Sequence, residues 1–256
     1  MNKLLKSFKD NGVKITLLKL ISLIKFIIVR KYHEYLIFPL RSKKKVFKSI
    51  YKNNYWGSDN SVSGPGSTLQ YTEKIRNNLP LLINEFKINS IFDAPCGDFN
   101  WMSKIIETHN IKYYGADIVD EIIFKNQNNF IFNNVKFNQI DITEDDFPRG
   151  YDLWLCRDCL FHLSYKDIFK ALNKFLDSDI PYILTTSHKG IDINNHDILT
   201  GDFRLINLFT KPFSFPEKCI SRFDDYLSPE QEREMCLWTR DQIKMIIKEM
   251  NNNISK

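Results

Sequence analysis

Apolar residues in the middle of the chain fall in short blocks separated by longer mixed stretches. Ile88–Phe92, Lys112–Ala116, Val135–Ile140, Tyr151–Cys156 and Tyr182–Thr186 are blocks of five or six residues, mostly apolar or aromatic. Such blocks are what strands buried in a parallel sheet look like. The stretches between them carry the 3.6-residue period of helices, most clearly Tyr165–Leu176. Glu234–Thr239 reads as a last strand and Arg240–Met250 as a closing helix. Ser67–Phe86 reads as a helix through Leu69, Ile75, Leu79, Leu82, Ile83 and Phe86, with Pro80 as its expected break or kink. Strands alternating with helices of this length predict an α/β fold, a doubly wound, mostly parallel sheet with right-handed crossovers. Ligands of such sheets bind beyond the carboxyl ends of the strands. That rule puts Asp93, Asp117, Asp141 and the Arg157–His162 segment on one rim.

The N-terminal pattern is different. Val13–Val29 is apolar but interrupted by Lys14, Thr16, Lys19, Ser22 and Lys25, which at about 100° per residue fall on one half of a helix. Lys19 and Lys25 cut the apolar run below the ~20 residues that a bilayer span needs. An amphipathic helix with a basic face is expected, lying on an anionic membrane surface or capping the rest of the chain with its apolar side. Arg41, Lys43, Lys44, Lys45 and Lys48 would reinforce the membrane contact. Gly57–Ser67 is rich in turn formers, and Ser63–Ser67 offers free amides just before the next helix. The division expected is a basic helical extension, 1–54, and a globular domain, 55–256.

Charge sharpens that division. Residues 1–52 hold 14 Lys and Arg against two acids, a net of +12, whereas residues 53–256 hold 22 basic and 29 acidic side chains, a net of −7. An acidic domain argues against a nucleic-acid strand crossing its site. The whole chain has 43% hydrophobic residues, enough for a real core. Its five cysteines are odd in number and irregularly spaced, which fits a reducing, cytoplasmic setting. Cys156–Cys159 is formally a C-x-x-C pair, but no second pair completes a zinc site, and no metal is expected.

The chemistry gathers at Ile91–Asp117. An apolar strand ends in Asp93, turns through Ala94-Pro95-Cys96-Gly97-Asp98, and enters a helix near Phe99. A second strand ends in Asp117, placed to accept hydrogen bonds from a ribose diol. A dinucleotide fold wants three glycines in that loop so that the backbone can approach a pyrophosphate; here there is one, Gly97, which speaks against a nicotinamide-dependent oxidoreductase. After the fourth strand comes Cys156-Arg157-Asp158-Cys159-Leu160-Phe161-His162. If it enters a helix, Asp158 and His162 sit at i and i+4 on one face. Histidine is suited to take a proton at neutral pH, so His162 is a candidate base and Asp158 its orienting carboxylate. His188, after the fifth strand, is a further candidate. Gly201-Asp202-Phe203-Arg204, bounded by later prolines, could cover an acceptor.

The loop Asp93–Asp98 with Asp117 resembles the first motif of the class I S-adenosylmethionine-dependent methyltransferases. The resemblance extends to Ser63–Ser67, to DAPCGDFNWM from Asp93, to CRDCLFHLS from Cys156 and to GDFR from Gly201, which together look like a bacterial subgroup. It covers roughly residues 55–245. It implies a Rossmann-like methyltransferase fold and S-adenosyl-L-methionine as cofactor. By the resemblance Asp93 and Gly97 line the donor's amino-acid moiety, Asp117 the ribose, and Asp141 with Ile142 the adenine. The candidate cofactor-binding set is Asp93, Ala94, Pro95, Cys96, Gly97, Asp98, Asp117, Ile118, Asp141, Ile142 and Arg157. The expected acceptor is a glycan, a lipid-linked sugar or a small molecule, with O-methylation favoured. The expected location is cytoplasmic, peripheral at the inner membrane face through residues 1–50. The competing readings are an oxidoreductase and a catalytically silent docking protein of an envelope complex.

Overall fold

The computed structural model describes residues 28, 42–58, 60–190 and 195–254, the last six by backbone alone. In chain order these form α1 (Lys43–Lys52), α2 (Glu73–Glu85), β1 (Ser90–Asp93), α3 (Met102–Ile106), β2 (Lys112–Asp117), α4 (Asp120–Asn129), β3 (Val135–Gln139), β4 (Leu153–Cys156), α5 (Tyr165–Asp177), β5 (Tyr182–His188), β6 (Ser221–Asp224), β7 (Arg233–Thr239) and α6 (Arg240–Ile254). One seven-stranded sheet has the order β3-β2-β1-β4-β5-β7-β6. β1 to β5 pair in parallel, and β7 runs antiparallel to both neighbours. The chain order reverses between β1 and β4, so a crevice opens there at the carboxyl ends of the strands.

Each central strand feeds two cores in alternation, as the two-residue period of a strand requires. Trp154 and Cys156 of β4 face the core closed by Ile168, Leu172 and Phe175 of α5, while Leu153 and Leu155 face the core closed by Ile75, Leu79 and Leu82 of α2. Burial on both faces explains why these strands read as unbroken apolar runs. Each fully buried aliphatic or aromatic side chain contributes about 2 kcal/mol. α5 begins where Ser164 accepts the Asp167 N–H at 3.2 Å, and its apolar stripe runs through Ile168, Ala171, Leu172 and Phe175.

Three local expectations change. The helix before β1 starts at Glu73, because Pro65–Ser67 is a short 3-10 turn, and it continues past Pro80, so of the two expectations for Pro80 the break does not occur. The helix after β1 starts at Met102. Phe99 instead has φ 57° and sends its ring into the core, centroids 4.9 Å from Tyr113 and 5.0 Å from Phe137. β6, with Arg222 and Asp224 among its four residues, carried no apolar signal.

The segment Val13–Val29 lies outside the described residues except for Ile28. Of the basic cluster that follows it, Arg41 also lies outside the described residues, Lys45 is exposed, and Lys43, Lys44 and Lys48 are paired with acids of the domain. Lys44 and Lys48 pair with Asp120 at 3.3 and 3.1 Å, and Lys48 also pairs with Glu121 at 2.7 Å. Lys43 bonds to Thr143 Oγ1 and pairs with Glu144 at 2.8 Å and Asp167 at 3.4 Å. Among the described residues no helix is long and apolar enough to cross a membrane.

Candidate functional site

A cavity of about 1030 Å³, part of it open to solvent, occupies the crevice above β1, β2, β3 and β4. Strand ends supply its floor. Asp93 closes β1, is 3% exposed, and accepts the Tyr113 hydroxyl at 2.6 Å. Asp117 closes β2 and accepts the Gly97 N–H at 3.2 Å and the Val119 N–H at 2.9 Å. Burial pushes Asp93 up to about 7, against the pull of the Tyr113 bond and of Arg157, and pushes Asp117 up to about 6, against its backbone donors. Asp141 and Ile142, after β3, line the cavity on the far side, and the Asp141 carboxylate accepts the N–H and hydroxyl of Thr143 at 2.9 and 2.7 Å.

The loop from Ala94 to Asp98 folds into this floor. The Ala94 and Cys96 N–H groups donate to the carbonyls of Leu155 and Ala116 at 3.0 and 2.7 Å, extending the ladders of both neighbouring strands. Gly97 has φ +54°, and a Cβ there would lie 2.2 Å from Ser63 Oγ. Both facts demand glycine. Pro95, Cys96, Gly97 and Ile118 line the cavity, whereas Ala94 and Asp98 do not. Asp98 faces the segment before α2: its carboxylate accepts the Ser61 hydroxyl at 2.7 Å and the Val62 N–H at 3.1 Å, and its N–H donates to Ser63 Oγ at 3.0 Å. Residues 61–67 are therefore a strap laid over the loop, with Ser63 and Ser67 in the cavity wall.

Arg157 and Asp158, after β4, belong to a buried ionic network. Arg157 donates Nε–H to Asp225 at 2.7 Å and Nη1–H to the Gly66 carbonyl at 2.9 Å. Its Nη2 is buried, has no partner, and belongs to a side chain that lines the cavity. Asp158 accepts from Arg233 Nη2 at 2.7 Å and from the Thr186 hydroxyl at 3.2 Å. Burial would raise Asp158, but Arg157 and Arg233 outweigh it and hold the carboxyl below its usual range.

His162 ends a 3-10 turn, Leu160–His162, and its ring lines the cavity. The expected helical pairing with Asp158 is absent, because Asp158 has φ 52° and breaks any helix there. The ring is oriented instead by the Asp202 carbonyl, 2.8 Å from Nδ1. A carbonyl only accepts, so Nδ1 carries the proton and Nε2 keeps its lone pair. Burial holds the imidazole below its usual value. His188 ends β5 outside the cavity lining, behind Phe161, at 5.2 Å between centroids, and burial pushes it down to about 4.

The remaining wall comes from residues that the strand pattern did not single out. Lys43, Phe47 and Tyr51 of α1 line the cavity, and the Trp56 ring lies 5.4 Å from that of His162. The apolar period of α1, Val46 and Ile50 inward, was the signal that this helix packs on the domain. Among the described residues no group of His, Cys, Asp or Glu is arranged to hold a metal ion.

No protein-family model and no curated protein matches the chain. Solved structures do match. The N-methyltransferase NodS from Bradyrhizobium japonicum WM9, in complex with S-adenosyl-L-homocysteine, aligns with TM-score 0.55 and 11% identity over 76% of this chain and 97% of its own. PigF with S-adenosylhomocysteine aligns at 0.54 and 10% identity over 78% and 62%. Magnesium protoporphyrin IX methyltransferase from Synechocystis PCC 6803, with the same bound product, aligns at 0.51 and 11% identity over 84% and 99%. At such identities the likeness is one of architecture: this chain has the fold of the class I S-adenosylmethionine-dependent methyltransferases.

Proposed function

We propose that the protein is an S-adenosylmethionine-dependent methyltransferase acting on a hydroxyl of a glycan, a lipid-linked sugar or another small molecule. The observation that carries this reading is the unbalanced polar lining of one cavity. Burial raises the carboxyls of Asp93 and Asp117 toward neutral pH, so that their ionised forms lack compensation, and Arg157 Nη2 is a buried donor with no acceptor among the described residues. A zwitterionic, cationic ligand suits that lining. Asp93 would face its ammonium group, Arg157 its carboxylate and Asp117 its ribose diol. Asp141 and Ile142 would meet the adenine. A buried ionised acid gains from each positive charge brought beside it.

When bound, the sulfonium of S-adenosylmethionine supplies an already activated methyl group, so the chain's own task is alignment and removal of one proton. His162 suits the second task. Its Nδ1–H is engaged by Asp202, its Nε2 is unprotonated, and burial keeps it so down to lower pH than a free histidine. The acceptor oxygen would form a bond to the methyl carbon as the carbon–sulfur bond breaks, and the hydroxyl proton would pass to Nε2. Trp56, stacked near His162, offers a flat apolar face of the kind on which sugar rings pack. The acidic floor, with Lys43 already engaged by Glu144 and Asp167, disfavours phosphate-rich acceptors and nucleic acid.

The test is transfer of a labelled methyl group from S-adenosylmethionine into isolated glycan, lipid-linked sugar and small-molecule fractions, with His162→Ala alongside. Labelled product from the parent alone supports the reading; transfer by neither excludes these acceptors. Attachment to an anionic membrane through the residues before 42 is part of the proposal. Unchanged partition onto anionic vesicles after removal of residues 1–41 would sink that part.

A further inference from the structure

Behind His162 sits a buried cation that makes no ion pair with a carboxylate among the described residues, Asp197 acting on it only at longer range. Arg204 is 2% exposed, and its Nε and Nη2 meet no acceptor. Its guanidinium lies 5.1 Å from the centre of the Tyr165 ring, which offsets part of the desolvation of the charge. Replacing a bare ion's water by protein is costly, and burial is the largest influence on this guanidinium. Its hydrogen bonds go instead to backbone: Nη1–H to the Leu163 carbonyl at 2.6 Å, and its own N–H to the Phe161 carbonyl at 3.2 Å.

The neighbours of Arg204 close on the same stretch. The Gly201 N–H donates to the His162 carbonyl at 2.8 Å, and Thr200 Oγ1 accepts the Ser164 N–H at 2.9 Å while donating to Asp167 at 2.6 Å. With Asp202 on Nδ1, residues 200–204 hold three successive carbonyls, the next N–H and the ring of His162. We propose that Arg204 is a positioning residue for His162. It locks residues 161–163 against 200–204 so that the Asp202 carbonyl receives Nδ1–H, and its unpaired charge opposes a second positive charge on the ring.

Other charges face the same imidazole. Asp158, after β4, and Asp202 favour its protonation, and His188, from β5, is held neutral by burial. Arg204 is the cation set against the two acids. The inference rests on the reading of His162 as the base, but its test does not use turnover.

The experiment is long-range proton–nitrogen NMR of the full chain labelled with ¹⁵N-histidine, His162 being assigned from the signals missing in His162→Gln. The parent should show His162 with the proton on Nδ1. Arg204→Leu should shift the His162 titration midpoint upward and mix the tautomers, and Arg204→Lys, which keeps the charge, should restore the midpoint. If Arg204→Leu does not fold, Arg204→Gln removes the charge and keeps a donor for Leu163. A parent proton on Nε2, or a midpoint unmoved in a folded, charge-free variant, overturns the proposal. A correct tautomer with full turnover in His162→Ala would instead remove the base reading and leave the positioning finding in place.

Discussion

At the end of the cavity built by β1, β2 and β3, burial pushes the carboxyls of Asp93 and Asp117 up to about 7 and about 6, although Tyr113, Arg157 and backbone donors pull the other way. At the end built by residues 157–163, Asp158 and His162 are answered within the protein. Asp158 is shared by Arg157 and Arg233, and His162 is held by Asp202. On the proposed reading the first end is completed by the bound donor, whereas the side chains of the second are hydrogen-bonded within the protein. An unpaired Arg157 Nη2 stands where the two meet. Binding energy and chemical positioning thus have separate addresses, and substitutions should separate them.

The largest separation is expected from His162→Ala. Methyl transfer should fall about 100-fold or more, the usual contribution of a general base, while calorimetry finds affinity for S-adenosylhomocysteine unchanged. Equal losses in both would merge the two ends. Gly97→Ala attacks the first end alone. A left-handed conformation costs a non-glycine residue about 1–2 kcal/mol, and the new Cβ must also displace Ser63 from its contact at 2.2 Å. Thermal unfolding should show at least that loss; a midpoint equal to the parent's would mean that the strap yields freely.

A subtler difference lies in pH dependence. The Asp93 carboxyl titrates near 3.8 when unfolded and at about 7 when folded. Between those values the native state keeps a proton that the unfolded chain has released, so this group's stability contribution falls as pH rises through the window. Asp93→Asn should remove that slope and make the ligand-free protein relatively more stable at pH 8 than at pH 4, compared with the parent. Parallel stability curves for the two proteins would contradict the burial of an uncompensated acid. The smallest effect is expected from Lys48→Ala, whose partners Asp120 and Glu121 are partly solvated. The unfolding midpoint should barely move, as for most exposed pairs.

How much of this was legible along the chain follows from the range of the interactions. β1, β4 and β5 were readable because burial on both faces leaves short apolar runs, whereas the edge strand β3 shows only Val135 and Phe137 at alternating positions, and the acids beyond the strand ends lie within a residue or two of that signal. The role of 57–67 was less so: glycines and serines mark a turn, but nothing local says that Ser61 and Ser63 strap Asp98. Asp158 and His162 have helical spacing, and a left-handed Asp158 cancels it. Asp202 is found only in three dimensions, forty residues from the ring it orients. Lys43, Lys44 and Lys48 read as a basic surface because their acidic partners are 72 or more residues distant.

The central claim, that Asp93, Asp117 and Arg157 line a site for S-adenosylmethionine, is tested most directly by calorimetric titration of the purified protein with S-adenosylhomocysteine, with NAD as the control and Asp117→Ala as the paired variant. The account predicts micromolar binding of S-adenosylhomocysteine, none of NAD, and loss of binding by about 100-fold, the upper range for a buried charged hydrogen-bond partner, in the variant. No binding by the parent, or equal binding by a folded Asp117→Ala, would contradict it.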